Sequence, residues 1–243
     1  MGVLRGTPHH SHGFSEYDAV LASHVRPIPP SLSLDAAAVA DCFGVAIHAI
    51  HRVGGVEGQT VAVIGCGTIG LCLGQAAHAL GAQSVLMIGD KAGVLDIARR
   101  TNAADDTICL PGDDPLAIVP ALTGGAGPTV VFEAVGRSGA TLDQALRLVA
   151  RGGTVCIAGV FTASPVFSPD VAYGKEASLL WSNSYGLDGT SSEFDQTLEL
   201  MASGRLDGQS FITDHYPLER IAEAFEACAD KTRSGAIKVL VHA

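Results

Sequence analysis

Between Gly58 and Gly89 the chain carries no aspartate, glutamate, lysine or arginine. An uncharged run of that length belongs either in a bilayer or inside a protein. Its glycines decide between them. Gly65, Gly67, Gly70, Gly74 and Gly81, with Gln75, His78, Gln83 and Ser84, break the run into strand, turn, helix and strand. Residues 60–64 (Thr-Val-Ala-Val-Ile) and 84–88 (Ser-Val-Leu-Met-Ile) are apolar at almost every position rather than at alternate ones. Such strands are buried on both faces, which is the condition of a parallel sheet covered by helices.

The alternation continues downstream. The pattern predicts a helix over 94–101, a short strand over 107–110, a strand over 129–133, a helix over 139–149, and strands over 154–158 and 178–181. Right-handed crossovers turn that order into an α/β, doubly wound parallel sheet. After residue 191 the chain predicts helices over 192–203 and 218–229 and a last strand over 237–241. Ahead of the sheet, the first thirty residues read as irregular with one strand over 17–22. Pro27, Pro29 and Pro30 make a stiff connector. Ser33 is placed to cap a helix over 34–52, which Gly54-Gly55 ends.

Composition narrows the partners. Fifteen basic against twenty-five acidic residues leave a net charge of −10, the wrong sign for gripping nucleic acid or an anionic membrane. With 47% hydrophobic and 16% charged residues the chain can bury a sizeable core. The six cysteines form no Cys-x-x-Cys pair, and Cys66, Cys72, Cys109 and Cys156 read as small buried hydrophobes. The opening MGVLRGTPHHSHGF contains no apolar core of a signal peptide, so a reducing cytoplasm is the expected compartment.

The chemistry-bearing motif is Gly65-Cys66-Gly67-Thr68-Ile69-Gly70, a G-x-G-x-x-G between strand and helix. Gly65 permits the tight turn, Gly67 lets a pyrophosphate approach the backbone, and Gly70 lets helix and strand pack closely. The helix N-terminus at Thr68 and Ile69 then offers unpaired N–H groups to the phosphates. Glycine-rich turns of this kind also serve methyltransferases and purely structural bends. A dinucleotide is favoured because Asp90 follows Gly70 by twenty residues, at the end of the second strand. Its carboxylate suits ribose hydroxyls and repels a 2′-phosphate, which favours NAD; the neighbouring Lys91 could instead reward that phosphate and favour NADP.

With the loop placed, the surroundings resemble the zinc-dependent medium-chain alcohol and polyol dehydrogenases, in the branch of sorbitol, threonine, butanediol and secondary-alcohol dehydrogenases. The resemblance runs from about Gly13 to the C-terminus through GFSEYDAVLASHVRPIPPSLSLDAAAVADCFGVAIHAIH, VAVIGCGTIGLCLGQAAHALGA, VVFEAVGRSGATLDQALRLVARGGTVCIAGVF and FITDHYPLERIAEAFEACADKTRSGAIKVLV. It implies a Rossmann domain over 53–190. Remnants of a chaperonin-10-like catalytic domain and its connecting helix would occupy 1–52, and a returning tail 191–243. It implies hydride transfer between a secondary alcohol or polyol and nicotinamide. Val135 and Gly136, the turn Gly159-Val160-Phe161 and Lys238 would line the cofactor site, and Asp41 would face a catalytic zinc. It also implies a homodimer or homotetramer, joined at the edge strand around residues 179–184.

Two departures qualify the resemblance. Gly89 stands where such proteins usually carry the ribose acid, so Asp90 falls one position late. The stretch holding the remaining zinc ligands, the proton relay and the four-cysteine loop has no counterpart here, and Asp41 alone cannot hold a metal that wants three protein ligands. His48 falls seven residues from Asp41, two helical turns or about 10 Å away, too far to share one ion with it. His51, His215 and the cluster His9, His10 and His12 read as structural or exposed. A non-catalytic NAD(P)-binding protein therefore stands as the alternative to an alcohol dehydrogenase.

Overall fold

The computed structural model describes residues 13–20, 22, 25–186 and 192–243. His9, His10 and His12 lie outside them. The chain enters through α1 (Leu34–Ala37) and α2 (Ala40–Arg52). It then alternates β1 (Thr60–Ile64), α3 (Thr68–Ala79), β2 (Ser84–Gly89), α4 (Ala92–Arg100), β3 (Asp106–Cys109), α5 (Pro115–Leu122), β4 (Val130–Glu133), α6 (Ala140–Leu148), β5 (Thr154–Ile157), α7 (Pro169–Lys175) and β6 (Ser178–Trp181). It finishes through α8 (Glu193–Ala202), β7 (Ile212–Pro217), α9 (Ile221–Ala229), α10 (Lys231–Ser234) and β8 (Lys238–His242).

The six strands β1–β6 form one parallel sheet in the order β3-β2-β1-β4-β5-β6. The uncharged stretch supplies its centre, with Val61–Ile64 and Val85–Gly89 fully covered. Two apolar layers sandwich it. One, on the side of α2 and α3, contains Phe43, Ile47, Ile50, Leu71, Leu73, Phe132 and Phe211; the other, on the side of α6, contains Ile64, Ile88, Leu142, Leu146 and Ile157. The first layer draws residues from all three predicted segments, so the segments share a core. A second, two-stranded parallel sheet pairs β7 with β8, and α9 packs on both strands.

Several expectations need correction. Residues 17–20 form no strand; their β-prone side chains find no partner strand among the described residues, and propensity without pairing does not hold a strand. Ser33 caps as expected, its Oγ accepting from the Ala36 N–H, but the helix breaks at Ala38 before α2 starts. Val39, fully buried against Gly208, draws the chain inward there. Helices α5 and α7 and strand β7 are additional to the expected elements.

His48 and His51 earn their place in packing. Nδ1 of His48 lies 2.9 Å, and Nδ1 of His51 3.1 Å, from the Glu193 carboxylate, tying α2 to the first turn of α8. Burial alone would raise the Glu193 pKa, but the Gly186 N–H and the two imidazoles outweigh it and hold the carboxyl below its ordinary value. A carboxylate held low stabilises the native state at pH values above its unfolded pKa, and that stability is lost as pH falls through the folded one. We expect Glu193→Gln to cost about 2 kcal/mol at pH 7 and to melt with a shallower loss of stability below pH ~4.5. Parallel acid melting curves for the two proteins would refute this link.

Candidate functional site

The strand order reverses between β1 and β4, and the crevice outside their C-terminal ends is where open α/β sheets take ligands. The glycine loop lies there. Gly65 leaves β1 with φ +112°, a conformation that L side chains rarely adopt, and its N–H bonds the Ile88 carbonyl at 2.8 Å. A Cβ at Gly70 would fall on the Gly65 carbonyl oxygen, so only glycine lets α3 lie this close to its strand. Gly67 has nothing within 4 Å of where a Cβ would stand. It is the N-cap of α3 and offers no side-chain cap, so the first N–H groups of α3, including those of Thr68 and Ile69, are left without a side-chain partner. The three glycines thus differ in role: turn, approach and packing.

Asp90 follows β2 with an exposed side chain, and Lys91 beside it is half-buried. The structure explains Gly89. A Cβ there would overlap Sγ of Cys66, which fills the space beside the loop. Backbone N–H groups of Asp90 and Lys91 point at that thiol, so the chain after β2 is folded against the glycine loop. Burial pushes the Cys66 thiol up despite those bonds.

On the other side of the crevice, the chain after β4 is stitched to the chain after β5. Arg137 N–H bonds the Val160 carbonyl at 2.9 Å, and Thr162 N–H returns to Arg137 at 2.8 Å. Gly136 (φ +65°) and Gly159 pack backbone to backbone. Val135 and Val160 remain 38% and 80% exposed, giving this wall an apolar lip, with Phe161 half-buried behind it. The pin under both turns is Glu133, the last residue of β4. It is fully buried, and its Oε1 accepts from Val135 N–H, Gly136 N–H and Thr141 Oγ1 at 2.9, 2.9 and 2.6 Å. Its Oε2 has no partner and faces the bare Cα of Gly159. A lone glutamate ending the strand Val-Val-Phe-Glu was the available signal.

The chain's tail reaches the same crevice. Thr68 Oγ1 donates to the Ile237 carbonyl at 2.9 Å, which sets Lys238 beside the start of α3. The Lys238 ammonium lies 3.7 Å from Cys42 Sγ. Asp41 is exposed and lies beside Tyr185, whose pKa is raised by burial first and by the Asp41 charge second. Among the described residues no group of three metal-donor side chains includes Asp41, and Cys42 is turned into the core. The donors present at Asp41 therefore do not fit a zinc ion, and no chemical step is drawn through one.

A parallel sheet of this order with a glycine loop at its reversal defines a doubly wound, Rossmann-type fold. Comparison with known proteins makes this specific. The profile of the zinc-binding dehydrogenase family matches residues 68–203, more than half of the chain, and the chain belongs to that family. Sorbitol dehydrogenase of Bacillus subtilis (strain 168) is 31% identical over 238 residues, covering 97% of this chain and 65% of that protein. Alcohol dehydrogenase TADH from Thermus sp. ATN1 superposes with a TM-score of 0.76 at 32% identity, over 89% of this chain and 60% of that one. A protein assigned as a zinc-binding dehydrogenase from Sinorhizobium meliloti 1021, solved with NADP bound, gives 0.77 at 26% identity over 89% and 61%. The chain thus spans less than two thirds of the length of these relatives.

Proposed function

We propose that this chain binds NAD(P) across the crevice and serves an NAD(P)-dependent dehydrogenase acting on a small secondary alcohol or polyol. The observation that carries this reading is Gly67: an uncapped helix N-terminus with open space over it, at the strand-order reversal of a zinc-binding dehydrogenase fold. When bound, the nicotinamide would accept or donate a hydride at its C4. The protein's own contribution is placement. N–H groups of α3 and the Lys238 ammonium would hold the pyrophosphate. The lip of Val135 and Val160, fixed by Glu133, would pack the nicotinamide end and keep water from it.

Asp90 supports NAD over NADP, because its exposed carboxylate lies where a 2′-phosphate would meet like charge. Lys91 is the counterweight. The donor set at Asp41 favours a second reading for this chain acting alone, that of a nucleotide-binding protein without turnover.

Two further readings belong with the first. The six cysteines are all free, which supports a cytoplasmic setting. The edge strand β6, with Leu179 and Leu180 half-buried and Trp181 56% exposed, supports a homodimer joined by sheet extension. The test of all of these is one sample. NADH and NADPH are titrated by nicotinamide fluorescence, with light scattering for mass and assay for alcohol oxidation. Tighter binding of NADH and a dimer are expected. Binding of neither nucleotide would sink the cofactor reading, and a monomer across micromolar concentrations would sink the dimer. Binding without turnover would leave the non-catalytic reading standing.

A further inference from the structure

We propose that Asp35, His215 and His242 form a binding site for a divalent transition-metal ion of the zinc type, clamping α1 onto the β7–β8 sheet. His215, expected to be structural, has surroundings that say more. In the register of β7 and β8, His215 stands opposite Leu240. Residues two apart on a strand share a face, so His242 is the next side chain beside His215 on that face. The two rings stack with centroids 5.1 Å apart, and His215 Nδ1 lies 2.8 Å from His242 Nε2. Over them comes Asp35, in the first turn of α1. Its Oδ2 is 4.0 Å from His215 Nδ1 and its Oδ1 3.9 Å from His242 Nε2. The helix is steered there by its capping residue: Ser33 Oγ bonds Gln209 Oε1 just ahead of β7.

The geometry is that of three donors around one point. Ligands of a tetrahedral ion held at about 2.0–2.1 Å stand roughly 3.3 Å from one another. The two ring nitrogens stand 2.8 Å apart, each carboxylate oxygen reaches a different ring at 3.9–4.0 Å, and one donor atom from each residue lies within 4.8 Å of the other two, so movements of about 1 Å close the site around an ion. Among the described residues this is the one group of three histidine, cysteine or acidic side chains gathered so closely. Each of the three side chains remains between a third and a half exposed, which gives an ion a way in and leaves its fourth position to water. Two imidazoles and one carboxylate select zinc and its first-row neighbours over calcium or magnesium, which want oxygen donors throughout. The site stands away from the phosphate loop. The chain meets that loop at Ile237, just ahead of β8, and reaches His242 five residues on, roughly 16 Å away.

The test uses the whole chain with Co2+ as spectroscopic probe and Zn2+ as competitor. It is run in a background in which His9→Asn, His10→Asn and His12→Asn remove the histidines near the N-terminus. One equivalent of Co2+ should bind with a nitrogen–oxygen spectrum and be displaced by Zn2+. His242→Gln and Asp35→Asn should each weaken binding by more than about 100-fold, since even residues behind the ligands are worth 10–100-fold. Saturating Zn2+ at ~100 Kd should raise the melting temperature by roughly 5–10 °C, and in these variants should not. Folding of each variant is checked by NADH binding and circular dichroism. Three results would overturn the proposal: loss of binding on removing the N-terminal histidines, thiolate charge-transfer bands placing the ion on cysteine, or unchanged affinity in both variants.

Discussion

Gly67→Val should fold and fail to bind NADH, whereas Gly70→Ala should fail to fold well. The two glycines lie three residues apart in one turn, and their surroundings differ completely. At Gly67 a side chain enters empty space from an extended backbone that valine adopts readily (φ −76°, ψ −174°). The fold should lose about 1 kcal/mol or less. Branched methyls would then occupy the approach to the α3 N–H groups. Two charge-assisted hydrogen bonds of about 1.5 kcal/mol each amount to roughly 100-fold in affinity. At Gly70 the new carbon lands on the Gly65 carbonyl oxygen, and backbone must move. A cost of about 3 kcal/mol or more follows, or roughly 6–12 °C in melting temperature for a chain of this size. Thermal melts and NADH titrations of both variants decide it. Normal NADH binding by Gly67→Val would remove the pyrophosphate from the loop; a native-like Gly70→Ala would remove the packing argument.

Glu133→Ala should be the most damaging substitution on the opposite wall of the crevice. The side chain is fully buried, and one oxygen gathers two backbone N–H groups and a threonine hydroxyl. Truncation strands three donors without water, at about 1–3 kcal/mol each, so a loss of about 3–5 kcal/mol is expected. Glu133→Gln keeps an oxygen for the same donors and should lose only about 1–2 kcal/mol. NADH affinity should fall in the alanine variant even where it stays folded, because the Val135-Gly136 turn is then free to drift from Gly159-Val160. Denaturant unfolding of the pair measures the difference. If alanine costs no more than glutamine, the acceptor oxygen is not what holds the three donors and the pinning role fails.

How much of this could be read from the chain depended on the kind of signal. Burial on both faces writes itself into composition, so the uncharged stretch and the runs at Val130–Glu133 and Thr154–Ile157 declared their strands. Helices α5 and α7 did not declare themselves. Each opens on proline, and Pro120 in one and Gly174 in the other read as breakers. Asp114, accepting from the Leu116 N–H, was the cap that marked α5. Strand β7 alternates half-buried and exposed positions from Ile212 to Pro217, a period-two pattern hidden by its charges. The strand expected over 17–22 failed because pairing is a property of two segments, and one sequence window shows only one. In the site, the glycines were legible since each answers to its own backbone. The reason for Gly89 was not, because it rests on Cys66, which is distant in sequence and adjacent in space.

The cysteines give the molecule a set of internal clocks. Cys228 is exposed and Cys109, expected in the core, is only half-buried at the end of β3, while Cys42, Cys66, Cys72 and Cys156 are buried. Burial also pushes the thiols of those four up, that of Cys156 to about 12. A thiol reacts as its thiolate, so these four are shielded twice, by access and by protonation. In the native state an alkylating reagent should mark Cys228 at once and reach those four only through opening events. Cys66 would time the glycine loop, Cys72 the helix behind it, and Cys156 the strand β5 beside the edge of the sheet. The order in which the marks accumulate would rank the local stabilities of loop, helix and sheet without a label being introduced.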